Sequence, residues 1–157
     1  MENPNDNAGI FVPPPFIYAA LFLFSYLMQR LEPLPGSFFC SVTARWVGSA
    51  FLIAGTFLVV PAVVQFIRRR TAILPVKPAT ELQTGGCYAI SRNPMYLGLL
   101  IVYGGLAMCF GNWWTVLMIP VLVLIIRRYL IRREEAYLQR KFGQRYLEYK
   151  DRVRRWI

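Results

Sequence analysis

The polar residues most capable of chemistry gather in two clusters at the edges of apolar runs. The first is the segment from Arg92 to Gly98, Arg-Asn-Pro-Met-Tyr-Leu-Gly, which directly precedes a long uncharged stretch. The second, at 127–145, contains the adjacent carboxylates Glu134 and Glu135. A proline at the start of a helix leaves the positive end of the helix dipole facing the loop. The first cluster therefore suits a polar, partly anionic ligand, or else it is a plain turn before a membrane helix.

The two carboxylates directly follow Arg132 and Arg133. Adjacent side chains on a helix point about 100° apart, so we expect at most one of Glu134 and Glu135 to face inward. One interpretation is a solvated face on which both pair with nearby arginines for little energy. The other is that one carboxylate binds a ligand, either by accepting hydrogen bonds from hydroxyl groups or by facing a positive charge.

Composition and charge define the class of protein. The 157 residues are 56% hydrophobic with a mean hydropathy of +0.40, and apolar blocks alternate with basic clusters. This is typical of a multi-pass membrane protein and nearly excludes a soluble enzyme. The net charge of +10 has a local origin, since 16 of the 18 Lys and Arg residues lie at 68–92 and 127–155. That asymmetry indicates cytoplasmic segments, and we do not expect nucleic-acid binding.

Two absences limit the chemistry. The chain contains no histidine, which removes the commonest metal ligand and an imidazole base together. The three cysteines, Cys40, Cys87 and Cys109, have no metal-ligand spacing. We therefore expect no metal site and a reaction that needs no imidazole.

The apolar runs predict an all-α, multi-pass fold of about four spans. Prolines at 13–15 place the start of the first helix at about residue 15 or 16. Small residues in the second span, such as Gly48 and Gly55, would let a neighbouring helix approach closely. The last two spans form a hairpin that turns at Gly111-Asn112. The four runs are 10–28, 46–67, 95–110 and 113–126.

Both termini are expected on the cytoplasmic side, in a single domain over 1–157. Its first part, 10–70, holds two spans, and 71–157 holds a polar loop, the hairpin and carboxyl-terminal helices. The loop at 71–91 is polar and rich in Gly and Pro. From residue 131 onward the pattern becomes amphipathic, which predicts a helical cytoplasmic cap.

Two motifs carry a resemblance to a known family. They are Gly86-x-Tyr88-x-x-x-Arg92-Asn93-Pro94-Met95-Tyr96-Leu97-Gly98 and Glu134-Glu135-x-x-Leu138-x-x-x-Phe142-Gly143-x-x-Tyr146-x-x-Tyr149. In combination and order they resemble the motifs of the integral-membrane methyltransferases typified by isoprenylcysteine carboxyl methyltransferase and the phospholipid N-methyltransferases. The resemblance covers about 71–156. It implies that S-adenosylmethionine binds at the cytoplasmic membrane edge, in part to a cofactor-binding loop within 71–91, and that a lipid, lipidated or other lipophilic substrate enters from the bilayer.

The resemblance also implies site residues. As catalytic groups it gives Arg92, near the reacting groups, with Tyr96 and Glu134. Methyl transfer from a sulfonium depends on alignment, so a carboxylate or thiolate acceptor needs no base. An amine or phenol would lose its proton beforehand or to Glu134 or Tyr96. The implied cofactor contacts are Thr80, Glu81, Leu82, Gln83, Tyr88, Asn93, Pro94, Met95, Tyr96 and Glu134.

Two positions depart from the prenylcysteine enzymes. Those enzymes usually have His where this chain has Asn93, and an arginine associated with their substrate carboxylate aligns with Leu130. The methyl acceptor therefore stays open among lipid-soluble thiols, phenols, amines and carboxylates.

Two other functions are compatible with the sequence. The same membrane fold resembles the carboxyl-terminal part of sterol and steroid reductases, which bind NADPH in a similar place. A non-enzymatic adaptor whose basic tail binds anionic lipid is the third reading. Binding of S-adenosylhomocysteine, of NADPH or of neither distinguishes the three.

Overall fold

A computed structural model describes residues 7–69, 71 and 78–156. Within these ranges the chain forms α-helices and short 3₁₀ turns and contains no β-strand. The predicted all-α class is therefore confirmed for the described residues. The helices are α1 (Pro14–Leu31), α2 (Val42–Arg68), α3 (Pro94–Phe110), α4 (Trp113–Ile125), α5 (Arg132–Phe142) and α6 (Gln144–Arg152).

Two helical stretches are long and apolar enough to cross a membrane. They are Val42–Arg68, with 27 residues, and Trp113–Phe142, with 30 residues. Few side chains of their apolar windows are buried inside the protein, and large ones such as Trp46 and Phe57 are exposed. Apolar surface of this kind is suited to lipid contact. The helix α3 is apolar but shorter, and the count of four spans stays a prediction.

The second long stretch is continuous because a π-helical segment, Ile126–Ile131, joins α4 to α5. Ile126, Leu130 and Ile131 in this segment are fully buried. They pack with tyrosines of α1, α3 and α5 in one apolar core. The apolar helix and the charged helix α5 are therefore held as one element, which fixes where the carboxylates of α5 lie.

Local signals set the helix ends close to the predicted positions. α1 begins at Pro14, one residue before the predicted range, with the preceding Pro13 at its cap. The α3–α4 turn lies at Gly111-Asn112, as predicted. Asn112 Oδ1 accepts from the Thr115 N–H (3.1 Å) and Thr115 Oγ1 accepts from the Asn112 N–H (3.3 Å). This reciprocal capping starts α4 immediately after the turn.

Glycines bring α2 and α3 into direct backbone contact. A Cβ atom added to Gly105 would lie 2.8 Å from the carbonyl oxygen of Gly48, and one added to Gly55 would lie 2.8 Å from that of Gly98. The predicted close approach at Gly48 and Gly55 is therefore confirmed. Since no side chain separates the backbones, α2 and α3 support each other over much of their length.

The glycine contact gives a matched test. We expect Gly105→Ala to lower the free energy of unfolding by about 1–3 kcal/mol, because its Cβ would meet the Gly48 carbonyl oxygen. Gly104→Ala is the control, since its Cβ would lie 3.4 Å from the Phe51 ring, an ordinary contact. Unfolding of both variants in mixed micelles measures the difference. Equal stabilities would contradict the close contact.

Candidate active site at the start of helix α3

A hydrogen bond joins the two clusters found in the sequence. Tyr96, buried in the first turn of α3, donates from its hydroxyl to Oε2 of Glu134, in the first turn of α5, at 2.8 Å. The backbone carbonyl of Tyr96 accepts from the Tyr18 hydroxyl of α1 at 3.0 Å. Three helices thus fix the Tyr96–Glu134 pair. The structure thus brings together Tyr96 and Glu134, two of the site residues that the resemblance implies.

The neighbouring carboxylate has a different set of partners. Glu135 accepts two hydrogen bonds from Arg155, at 3.0 Å from Nε and 2.7 Å from Nη2. Its Oε1 also lies 3.5 Å from Nη2 of Arg92. The side chains of Arg92 and Glu135 are only 9% and 14% exposed. This cluster is therefore largely shielded from water.

The expectation that at most one carboxylate faces inward is wrong. Both are partly buried and both have specific partners. The physical reason is that α5 has protein on two sides, with α3 against Glu134 and the carboxyl-terminal segment against Glu135. The interpretation that Glu135 lies on a solvated face and pairs with nearby arginines is also wrong, because its partners Arg92 and Arg155 are distant in sequence. The adjacent Arg133 instead donates to the Gly9 carbonyl at 2.7 Å.

The carboxyl-terminal segment closes onto the start of α3 through its backbone. The Arg154 carbonyl accepts from the Arg92 N–H at 3.0 Å. The Arg155 carbonyl accepts from Ser91 Oγ at 3.3 Å and Asn93 Nδ2 at 3.1 Å. Sequence reasoning missed the role of Arg155, because it treated the basic tail as diffuse charge. One available signal was Trp156, an apolar residue after the last charges, which packs against the core.

The loop before α3 is held by α2, α5 and α6. Gln65 of α2 donates to the Gln83 side chain (3.0 Å) and to the Gly85 carbonyl (3.1 Å). Tyr149 of α6 donates to the Tyr88 carbonyl at 2.7 Å. Gly86 has φ +59°, and a Cβ there would lie 2.7 Å from Gln65 Oε1, so two constraints favour glycine. Residues 72–77 of the predicted loop lie outside the described residues.

The predicted cofactor contacts within the loop differ in how far they are buried. Thr80 and Glu81 are exposed, and Glu81 pairs at 2.9 Å with Arg69, which directly follows α2. Leu82 is half-buried and Gln83 is buried. Just before them, the Ala79 N–H donates to the Tyr137 hydroxyl of α5 at 3.0 Å. The structure therefore brings the loop near α5, with the Gln83 side chain buried.

The other predicted contacts lie close together at the start of α3. Tyr88, Asn93 and Pro94 are buried, and Met95 is half-buried. Burial raises the pKa of Tyr88, and the nearby negative charge of Glu134 raises it further. Tyr88 therefore shares an electrostatic environment with the Tyr96–Glu134 pair.

The tyrosines of α6 stay protonated at neutral pH. Burial raises the pKa of Tyr146 to about 12, with a further upward contribution from Glu135 and a downward one from Arg92. Burial likewise raises the pKa of Tyr149. The Tyr146 hydroxyl lies 3.5 Å from Arg92 Nη1. These phenols therefore serve as hydrogen-bonding groups and not as bases.

Two buried donors have no protein partner among the described residues. They are Nε of Arg92 and Nε2 of Gln83. A buried N–H without a partner costs free energy, so its presence at a site indicates a ligand with acceptor atoms. S-adenosylmethionine fits this donor set: it carries a carboxylate and ring acceptors for the donors, and a positive sulfonium that suits a site containing Glu134. In the described part of the chain, no cluster of His, Cys, Asp and Glu is arranged to hold a metal ion.

The shielded ion pair gives a test with an internal control. A double-mutant cycle with Arg155→Gln and Glu135→Gln should return a coupling energy of about 1.5–3 kcal/mol, because the pair is bidentate and mostly buried. The Arg69–Glu81 pair is 58% and 45% exposed, and its cycle should return less than about 1 kcal/mol. Unfolding in mixed micelles measures both. Similar couplings would mean that the carboxyl-terminal segment is not fixed by this pair.

The matches to known proteins cover the part of the chain that contains this site. The phospholipid methyltransferase family model matches residues 43–145, which include the loop, α3, α4 and both carboxylates. No solved structure matches the chain. The two motifs recognised in the sequence thus lie inside or overlap the matched region.

Three curated relatives are similar in sequence. A protein-S-isoprenylcysteine O-methyltransferase B of Arabidopsis thaliana is 30% identical over 142 residues, covering 87% of this chain and 71% of that protein. A protein-S-isoprenylcysteine O-methyltransferase of Schizosaccharomyces pombe is 33% identical over 105 residues, 66% of this chain, and the match spans only 44% of that protein. An uncharacterized protein of Haemophilus influenzae is 41% identical over 63 residues, 40% of this chain and all of that protein.

These matches confirm the resemblance inferred from the motifs and favour it over a reductase or an adaptor. The family match spans more than half of the chain, and the plant relative is covered over more than two thirds of its length. The chain belongs to the phospholipid methyltransferase family and is an enzyme of the methyltransferase class with membrane-capable helices.

Proposed function

We propose that this protein transfers a methyl group from S-adenosylmethionine to a lipophilic or membrane-presented acceptor. The observation that carries the proposal is the Tyr96–Glu134 hydrogen bond at the junction of α3 and α5, next to the Glu135 cluster that contains the buried donor of Arg92. A polar site beside apolar helices suits an enzyme whose two substrates differ in polarity. One is water-soluble and the other is dissolved in the membrane.

The residues that would hold the cofactor are those with unused or charged groups. Arg92 and Gln83 offer buried N–H donors to its acceptor atoms. Glu134 offers a carboxylate for hydroxyl hydrogen bonds or for the positive charge, and Tyr96 fixes the direction of that carboxylate. Tyr88, Asn93, Pro94 and Met95 would complete the contacts with the cofactor. The bound cofactor supplies a methyl group already activated on a sulfonium.

The chain's own contribution is alignment and the exclusion of water. With no histidine in the sequence and with Tyr146 and Tyr149 protonated, there is no conventional base at neutral pH among these groups. In-line transfer instead needs the nucleophile held about 3–3.5 Å from the methyl carbon. An acceptor that is already anionic, a carboxylate or a thiolate, therefore fits best. An amine or phenol would need to give its proton to Glu134.

The acceptor should be a lipid, a lipidated molecule or another lipophilic compound. Two relatives are named as protein-S-isoprenylcysteine O-methyltransferases. The resemblance aligns Leu130 with an arginine associated with the substrate carboxylate in the prenylcysteine enzymes, and Leu130 is fully buried among apolar side chains. No charge is therefore available at that position for a prenylcysteine carboxylate, which favours a different lipophilic acceptor. Labelled S-adenosylmethionine incubated with membrane extracts, followed by identification of the labelled product, determines which compound it is.

The affinity for S-adenosylhomocysteine tests the cofactor assignment. We expect calorimetry to detect its binding to the folded protein and to detect no binding of NADPH. Glu134→Gln should weaken the binding by about 1.5–3 kcal/mol, because it removes a charged hydrogen-bond acceptor. Glu148→Gln is the control, since Glu148 is exposed on α6. Wild-type affinity in the Glu134 variant, at an unchanged melting temperature, would remove Glu134 from the site.

We also propose that the site lies on the cytoplasmic side, in a four-span chain with both termini there. The 16 clustered basic residues support this orientation. A membrane-impermeant thiol reagent applied to intact cells should label Cys40 and spare Cys87. Burial raises the pKa of Cys87 and so slows its reaction. Thr84→Cys at an exposed loop position is therefore a second probe. Labelling at residue 84 in intact cells would contradict the proposed orientation, and labelling only after permeabilisation would support it.

A further inference from the structure

A groove lies on the outer face of the long helical stretch formed by α4 and the π-helical segment. Its volume is about 390 Å³. One end is apolar and the other carries guanidinium groups, so the groove has the polarity pattern of a phospholipid. It is lined by Pro120, Val123, Leu124, Arg127, Arg128 and Arg132.

The charge at the basic end is not balanced within the described part of the chain. The side chains of Arg127, Arg128 and Arg132 are exposed and make no hydrogen bond or ion pair there. Arg133, the next residue, differs, because it donates to the Gly9 carbonyl and lies over the Tyr129 ring. Three guanidinium groups beside apolar surface need acceptors from outside the protein.

The position of these arginines along the helix agrees with a lipid headgroup. A helix rises about 1.5 Å per residue, so Arg127 and Arg132 lie roughly 21 and 28 Å along the axis from Trp113. Tryptophan prefers a membrane interface, and the hydrocarbon core is about 30 Å thick. If Trp113 lies at one interface, Arg132 lies near the opposite headgroup layer, and Arg127 and Arg128, whose Cα atoms lie deeper, reach toward that layer with their long side chains. The apolar end of the groove then lies among the acyl chains.

The groove is separate from the candidate active site. Arg132 and Glu134 are two residues apart, and therefore about 200° apart around the helix axis. Glu134 faces α3 through its hydrogen bond with Tyr96. The Arg132 end of the groove thus points away from the Tyr96–Glu134 pair, and none of the residues that line the groove belongs to the candidate site.

We propose that this groove binds one anionic phospholipid, with its phosphate against Arg127, Arg128 and Arg132 and an acyl chain along Pro120 and Leu124. An anionic headgroup is favoured over a zwitterionic one because a choline group would bring positive charge beside three arginines. The arginines would bind the phosphate oxygens through several N–H donors at once. The bound lipid is not the methyl acceptor, since none of the residues that line the groove belongs to the candidate site.

Native mass spectrometry of the purified full chain with phosphatidylglycerol or phosphatidylcholine tests the proposal. The wild-type protein should bind phosphatidylglycerol at least about tenfold more tightly than phosphatidylcholine, which is about 1.4 kcal/mol. Combined Arg127→Gln, Arg128→Gln and Arg132→Gln should abolish that preference. The control variant makes an equal charge change at exposed arginines of α5 and α6, Arg140→Gln, Arg145→Gln and Arg152→Gln, and should keep it.

A second variant tests the apolar end without changing charge. Val123→Trp would fill the groove and should reduce phosphatidylglycerol binding at an unchanged melting temperature. Soluble glycerol phosphate should not displace the lipid at matched concentration. Equal losses in the two triple variants would overturn the proposal in favour of diffuse attraction. Displacement by glycerol phosphate, or full binding to the Val123→Trp protein, would overturn the lipid as the occupant.

Discussion

The hydrogen bond between Tyr96 and Glu134 is the interaction on which the candidate site depends. It joins residues 38 positions apart and fixes the direction of a carboxylate that would otherwise turn toward solvent. A tyrosine hydroxyl donating to a carboxylate is stronger than a bond between neutral groups, because the acceptor is charged. Its value also depends on rigidity, since Tyr96 is itself held through its carbonyl by Tyr18. This pairing joins the first turn of α5 directly to the first turn of α3.

The rest of the fold supplies the rigidity that this bond needs. The glycine contacts hold α2 against α3 at backbone distance, and the buried π-helical segment makes α4 and α5 one continuous element. In lipid, helices gain little from the hydrophobic effect against each other, so close backbone packing is an effective substitute. The two helices that form the site are therefore positioned in different ways. Small residues hold α3 against α2, and α5 is held because it continues the long apolar helix α4 without a break.

Much of this arrangement follows from the sequence, and the remainder depends on contacts that no local pattern encodes. The turn at Gly111-Asn112 and the small residues of α2 gave local signals, and the structure agrees with them. The burial of Glu135 had no local signal in the sequence, because it depends on a contact with Arg155 near the end of the chain. Helical periodicity describes one face at a time. It cannot reveal that a distant segment covers the opposite face of the helix. In α5 this is the case, because α3 contacts Glu134 and the carboxyl-terminal segment contacts Glu135.

The arginines of this chain divide according to whether the protein supplies their acceptors. Arg92 and Arg155 share the carboxylate of Glu135, and both are therefore fixed in a shielded cluster. Arg127 and Arg128 are exposed and have no carboxylate near them in the described chain. Arginine thus has two physical roles in this chain. A guanidinium that is shielded from water and paired with a carboxylate fixes the structure, whereas solvent or lipid must neutralise an unpaired one. Arg92 combines both situations, because its side chain is paired with Glu135 while its buried Nε lacks an acceptor among the described residues, and this N–H therefore remains available to a ligand.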